Sequence, residues 1–395
     1  MDRIYAESQL VIISAAGDSS SYGLPGVGER PRKAQRRLNV GPDVEIIEMP
    51  NVKLALTSST WATRAWTYQE GYLARRRLVF TDDQVLYVCG RVSWEESEQQ
   101  PFLEIDKCNR GVHYPIFGRF WAPKFRVFDV LTNYTARTMS FDSDILNACT
   151  GILQKIAGFH LWGMVATQRV PNGGHLLLSM RWYNKCVGQR REGFPSWSWA
   201  GTSGSKLIKH IENSHDTGYV VHTRATDGRW VSLEELTECR YDPLPIHYGP
   251  TLRLTGMFYT VSLVGIRTSS GVKVKGRKPR AHPLVLFKHA GEQCEDIEIA
   301  FEVLLDTELT EFDFVRNVKA VLFESTMRLD GDWDCDRPPE FWILQAVGDN
   351  YKRIGITGPC CWTLEKKTGI MRKDSGGVVS PHSDCRGDEE VLYVE

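Results

Sequence analysis

The residues with the most chemical potential lie close together at Trp66-Thr67-Tyr68-Gln69-Glu70. Ser58-Ser59-Thr60 supplies a helix N-cap, and the spacing predicts a helix from Trp61 to Ala74, weakened in its last turn by Gly71. On that helix Trp66 and Glu70 stand at i and i+4, on one face, with Thr63 and Thr67 adjacent. A carboxylate against an indole wall loses hydration, which raises its pKa and suits it to acid–base work or to holding a ribose. The competing reading is structural: Glu70 pairs with Arg64 or Arg75 and orders the junction between the helix and the hairpin that follows.

Other candidates are weaker. Trp197 and Trp199 flank Ser198 in Pro195-Ser196-Trp197-Ser198-Trp199-Ala200-Gly201. If that segment is extended, both indoles face one side, either packed into an aromatic core or exposed as a recognition platform. Ser196 and Ser198 sit in no G-x-S-x-G elbow, which argues against a hydrolase nucleophile. Gly17-Asp18-Ser19-Ser20-Ser21 follows an apolar run but lacks the glycine spacing of a phosphate loop. His210, His215 and His222 lack metal-ligand spacing, and none of the ten cysteines forms a C-x-x-C pair. Cys360 and Cys361 are adjacent and too strained for a routine bridge. No metal site and no resident cofactor is expected.

The elements that must position these residues divide the chain into three expected stretches. The 395 residues are 42% hydrophobic and 25% charged, an ordinary globular balance with room for two or three domains. Residues 1–92 read as α/β. Leu10-Val11-Ile12-Ile13-Ser14-Ala15-Ala16 is a continuous apolar run, the pattern of a strand buried on both faces in a parallel sheet. Residues 18–58 read as a long loop holding a short strand at Val44 to Met49. Leu78 to Phe80 and Val85 to Cys89 form a strand–turn–strand. Residues 93–205 read as helical and aromatic, with helices over Phe125–Arg137, Asp142–Phe159 and Leu176–Tyr183. From 206 to 395 the period drops to two, predicting an antiparallel sandwich or barrel.

Net charge is −1, which gives no global attraction to nucleic acid. The basic runs Arg30 to Arg37 and Lys273 to Arg280 do not alternate with aromatics and read as solvated loops. No run of about 18 apolar residues is present to span a bilayer. With no signal peptide at the start and scattered thiols, the expected location is the cytoplasm.

Four ordered segments resemble fungal heterokaryon-incompatibility (HET) proteins. These are Met1-Asp2-Arg3-Ile4-Tyr5 with Val11 to Ala16, Asp18 and Gly23-Leu24-Pro25-Gly26; Trp61 to Glu70, similar to W-x-x-R-x-W-T-x-Q-E through Trp61, Arg64, Trp66, Thr67, Gln69 and Glu70; Phe141 to Ala148 with Gly151-Ile152; and Pro195 to Gly201. The resemblance covers roughly residues 1–205. Family members carry, ahead of the position of Met1, a strand and helix with a W-x-D-x-x-C-I-x-Q element that this sequence lacks. The expectation is therefore a HET protein without the N-terminal half of the domain.

What the resemblance implies is a self/non-self recognition and cell-death signalling module that works through protein partners, with a homo-oligomer as an open form. HET domains have been likened to Toll/interleukin-receptor domains, so the expected fold is a partial Toll/interleukin-receptor-like sheet with helices, then a helical segment and a β-rich C-terminal domain. The alternative function implied by that likeness is NAD glycohydrolysis, with NAD as substrate and Glu70 as the catalytic residue. A ligand-binding β domain is a third reading.

Overall fold

A computed structural model describes residues 1–42, 44–89, 92–97, 102–103, 126–157, 159–165, 181–208, 219–238, 248–264, 273–274, 284–288, 297–306, 318–324, 340–365, 370–373 and 388–395. His210, His215 and most of the run Lys273 to Arg280 lie outside them, as does Leu176–Met180 of an expected helix. The chain forms two compact units, Met1–Phe159 and His160–Glu395. It combines several sheets with a few short helices, and its second unit is rich in β structure.

The first unit begins with α1 (Asp2–Glu7) and β1 (Val11–Ser14), followed by the hairpin β2 (Arg37–Gly41) and β3 (Val44–Ile47). Helices α2 (Val52–Thr57), α3 (Thr60–Thr63) and α4 (Ala65–Leu73) lead into β4 (Arg76–Phe80), β5 (Val85–Cys89), β6 (Val92–Glu95) and β7 (Phe102–Leu103), then α5 (Arg126–Thr135) and α6 (Thr150–Ala157). The sheet order is β1-β4-β5-β6-β7. Only β1 and β4 run parallel, Ile13 opposite Val79; the remaining pairs are antiparallel. Ile13, Val79, Leu86 and Val88 meet Val52 and Leu56 of α2 and Trp61 of α3 in one core. Burying that apolar surface is what holds the helices to one sheet face.

Three expectations need correction here. Among the described residues β1 is an edge strand covered on one face: Ile13 is 1% exposed but Ile12 is 58% exposed. The apolar run is thus a two-sided sequence on a one-sided strand, and the mostly antiparallel sheet lends no support to a Toll/interleukin-receptor-like fold. The helix from Trp61 to Ala74 is broken at Arg64, whose backbone is extended (φ −84°, ψ 138°). The helix expected over Asp142–Phe159 is a short 3₁₀ turn at Asp142–Asp144 and then α6.

The second unit opens with the tight hairpin β8 (His160–Leu161) and β9 (Met164–Val165), then β10 (Trp182–Asn184) paired with β11 (Lys206–Ile208). Trp182 and Tyr183 are thus strand residues rather than the end of a helix. Next come β12 (Val220–Ala225), β13 (Trp230–Ser232), β14 (Tyr248–Val264), β15 (Lys273–Val274), β16 (Leu284–Lys288), β17 (Ile297–Leu305), β18 (Val318–Glu324), β19 (Glu340–Val347), β20 (Asn350–Glu365), β21 (Ile370–Lys373) and β22 (Asp388–Val394). The order β14-β16-β17-β20-β19-β18 closes on itself, because β18 pairs back onto β14. The antiparallel β region is therefore a closed six-stranded barrel with extra strands along β14, which removes the exposed edges of an open sheet. Val261, Val303, Val318, Ala320, Phe341 and Ile343 fill its core. Gly256 sits where β14 changes partners from β12 and β22 to β18 and β16; a Cβ there would lie 2.5 Å from the Tyr219 ring.

Candidate functional site

The W-x-x-R-x-W-T-x-Q-E residues lie on both sides of the helix break, and side chains of the motif itself hold that break together. The Ser59 hydroxyl accepts from the Ala62 N–H at 3.1 Å and caps α3. At Arg64 the chain runs beside Thr138: the Ala65 N–H donates to the Thr138 carbonyl at 2.9 Å and the Thr138 N–H to the Thr63 carbonyl at 2.6 Å. The Thr67 hydroxyl lies against the Trp61 carbonyl and donates to the Arg64 carbonyl at 2.7 Å. Arg137 donates to that same carbonyl at 3.1 Å, and its guanidinium lies 4.4 Å from the centre of the Tyr68 ring. At the far end of α4, the buried Arg77 side chain donates to the Gly71 and Tyr72 carbonyls, placing a cation on the helix C-terminus.

Gln69 is 2% exposed, and its amide oxygen accepts from the Gly151 N–H, in the first turn of α6, at 3.1 Å. Gly151 is required by contact: a Cβ there would lie 2.3 Å from Cβ of Asp2 and 2.8 Å from the Gln69 amide oxygen. Three of the motif segments, on α1, α4 and α6, therefore meet at one point.

Glu70 is half-buried and accepts from the Trp61 indole N–H at 3.2 Å. The indole that meets the carboxylate belongs to Trp61, nine residues back, and it meets it through its N–H. Trp66 is half-buried on the same helix as Glu70. Among the described residues neither Arg64 nor Arg75 forms an ion pair with Glu70. The third group is Tyr5 of α1: burial, followed by the charge and hydrogen-bonding reach of Glu70, raises its hydroxyl pKa to about 12. Tyr5 therefore keeps its proton beside Glu70. The i, i+4 rule could not have found either partner, because Trp61 reaches Glu70 across the break and Tyr5 lies 65 positions away.

In the second unit, the Pro195 to Gly201 segment is buried and folded into turns, not extended. Trp197, Ser198 and Trp199 are 0% exposed and Ser196 is 3% exposed, so the two indoles are core and not a surface platform. Each polar side-chain atom has a structural partner. Ser196 accepts from the Arg353 N–H at 3.0 Å and lies against the Glu395 carbonyl. Trp197 donates to the Pro250 carbonyl at 2.7 Å and Trp199 to the Gly163 carbonyl at 2.9 Å. Ser198 donates to the Trp162 carbonyl at 2.6 Å and accepts from the Ala200 N–H at 3.0 Å. The Pro195 carbonyl accepts from the Ser198 N–H at 3.2 Å and comes so close to Gly201 that a Cβ there would lie 2.3 Å from it. Two of these bonds end on the β8–β9 turn, where Trp162 has φ 51°, a left-handed conformation that is costly for an aromatic residue.

Sequence reading missed the buried charges behind this segment. The Arg353 and Asp306 side chains pair at 3.0 Å with exposures of 0% and 2%. The Arg353 guanidinium lies 3.7 Å from the centre of the Trp182 ring. Lys206 donates to the Thr202 hydroxyl at 2.8 Å, the Ser203 carbonyl at 2.7 Å and the Thr202 carbonyl at 2.9 Å. Burial, opposed by Asp306 and reinforced by Arg191 and Arg353, brings its pKa down to about 7. Arg190 and Arg191 donate to carbonyls between Phe194 and Thr202. A cleft of about 320 Å³ opens beside this cluster, lined by Tyr183, Asn184, Cys186, Leu207 and Leu304 among others. Asn184, its buried polar group, is already bonded to Lys206, Thr202 and Asp306.

Among the described residues no helix is long and apolar enough to cross a membrane. No curated protein and no solved structure matches the chain. Residues 1–70 match the family model described as Heterokaryon incompatibility protein (HET), a match that ends on Glu70. The similarity to the HET family is thus confined to residues 1–70, and the cluster of Tyr5, Trp61, Gln69 and Glu70 lies inside the matched stretch.

Proposed function

We propose that the chain is a heterokaryon-incompatibility recognition module that works by contact with other proteins and triggers the death of fused cells, with Glu70 as a structural residue and not a catalyst. The observation that carries this reading is where apolar surface is left exposed. Of the nineteen exposed large hydrophobic side chains among the described residues, twelve fall within residues 1–70. Where such residues adjoin, as Leu38, Val44 and Ile46 do on the hairpin β2–β3, they mark an interaction surface. The motif's own polar groups support the same reading, since Thr67, Gln69 and Glu70 are spent on Arg64, Gly151 and Trp61.

The test is expression of the chain in one of two fungal strains that otherwise fuse compatibly. The expected result is death of fusion cells that is kept by Glu70→Gln when the variant is well folded, and lost when the exposed apolar residues are replaced by lysine. Normal growth of fusion cells with the unaltered chain would overturn the reading. Death that required the Glu70 carboxylate in a folded variant would overturn the structural role.

A further inference from the structure

Among the described residues nothing covers either face of the hairpin β2–β3: all nine strand residues are exposed. Its two faces are chemically different. Leu38 lies opposite Ile46, and Asn39 opposite Glu45. Leu38, Val44 and Ile46 share one face, exposed by 62%, 57% and 55%, while Val40, 53% exposed, lies in the bulge between Asn39 and Gly41. The other face carries Asn39, the Arg37–Glu45 ion pair at 3.1 Å and a single aliphatic side chain, Ile47, opposite Arg37. A backbone bond from the Glu48 N–H to the Arg36 carbonyl extends the ladder one pair further. That pair falls on the apolar face, with Arg36 and Glu48 3.6 Å apart and their side chains 87% and 62% exposed.

We infer that this face docks against the same face of a second copy of the chain, an arrangement that goes beyond the recognition reading and does not need it. The argument is complementarity. With a two-fold axis along the strands between two stacked hairpins, β2 of one copy crosses over β3 of the other. Aliphatic side chains then meet aliphatic side chains, at the roughly 10 Å spacing of packed sheets. Arg36 falls over Glu48 of the other copy and Glu48 over Arg36, so one rotation satisfies both charges twice, as an isologous contact must. The opposed charges also argue against a membrane as occupant: Arg36 is balanced by Glu48 and Arg37 by Glu45, leaving no surplus cation for an anionic bilayer.

The size of the face sets the strength. Its three paired aliphatic residues offer on the order of 300 Å² per copy, against about 800 Å² per partner in a stable complex. The contact is accordingly weak and concentration-dependent, with a dissociation constant on the order of tens of micromolar.

Sedimentation of the full chain from about 1 to 300 µM tests the inference, in a range that brackets that constant. The expected result is a reversible monomer–dimer equilibrium, abolished by Leu38→Lys with Ile46→Lys. Arg36→Glu and Glu48→Arg should each weaken it by about tenfold through like-charge contact. An equimolar mixture of those two single variants should restore it, because Glu at 36 then meets Arg at 48. Both faces of the hairpin are already in solvent, so these variants should keep the parent's circular dichroism. A monomer at every concentration, a dimer indifferent to the lysine substitutions, or a mixture that fails to restore association would each overturn the inference. Binding of another protein or of vesicles through the hairpin without self-association would do the same.

Discussion

Replacing Ser198 by alanine removes one oxygen atom from a site that is 0% exposed. That atom makes two bonds, donating to the Trp162 carbonyl at 2.6 Å and accepting from the Ala200 N–H at 3.0 Å. Each backbone group left buried without a partner costs about 1–3 kcal/mol. The first group also belongs to a turn residue held at φ 51°, so losing its clamp frees a strained conformation to relax. Some of the cost returns as the site adjusts, and the two losses share one side chain, so the expected destabilisation is about 3 kcal/mol. Urea unfolding of the full chain, followed by circular dichroism, should show a midpoint lowered by about 1 M for the transition of the second unit at unchanged slope. A loss below about 0.5 kcal/mol would refute the reasoning, since that is the value for a surface position. Ser198 would then be unconnected to the turn.

Two further outcomes follow from buried groups in the same unit. Burial lowers the His160 pKa to about 4, and its Nδ1 accepts from the Gly163 N–H at 3.2 Å, which requires the neutral ring. Because the folded value lies below the unfolded one, the unfolded chain takes up the proton first as pH falls. Stability is therefore full above about pH 6.5 and declines to about pH 4, by up to about 3 kcal/mol; pH-dependent melting should show a steeper slope in the parent than in His160→Gln, which retains the contribution of groups such as His222. Arg353→Met leaves Asp306 buried without its 3.0 Å partner and should cost about 3–5 kcal/mol in urea unfolding. A cost under about 1 kcal/mol would mean that Lys206 alone balances the carboxylate.

Periodicity made much of the architecture legible. The alternating strands after residue 206 gave the antiparallel β region, and the paired runs Leu78 to Phe80 and Val85 to Cys89 gave the β4–β5 hairpin. What misled was local pattern without its neighbours. Leu10 to Ala16 reads as doubly buried, yet Ile12 points to solvent, because burial depends on what packs against a strand and not on the strand's own apolarity. Trp61 to Ala74 reads as one helix, yet Thr138, 74 residues past Arg64, offers the backbone partner that makes an extended Arg64 favourable. Glu70 was singled out for its place beside Trp66, while its bonding partner is Trp61, which only the break brings within reach. The Arg353–Asp306–Lys206 cluster left no signal at all. Each charge is separated from the next by tens of residues: pairing of β17 with β20 brings Asp306 beside Arg353, and Lys206 comes from the separate β10–β11 pair.

The central claim is that Glu70 holds the fold through the Trp61 indole N–H. A double-mutant cycle of Trp61→Phe and Glu70→Met, which leaves no acceptor at position 70, tests it most directly by urea unfolding of the full chain. The hydrogen bond from the Trp61 indole to the half-buried Glu70 side chain predicts a coupling of about 1 kcal/mol, with Glu70→Met itself destabilising. No coupling, with Glu70→Met as stable as the parent or more so, is the pattern of a side chain kept for chemistry at the expense of stability, and it would contradict the account.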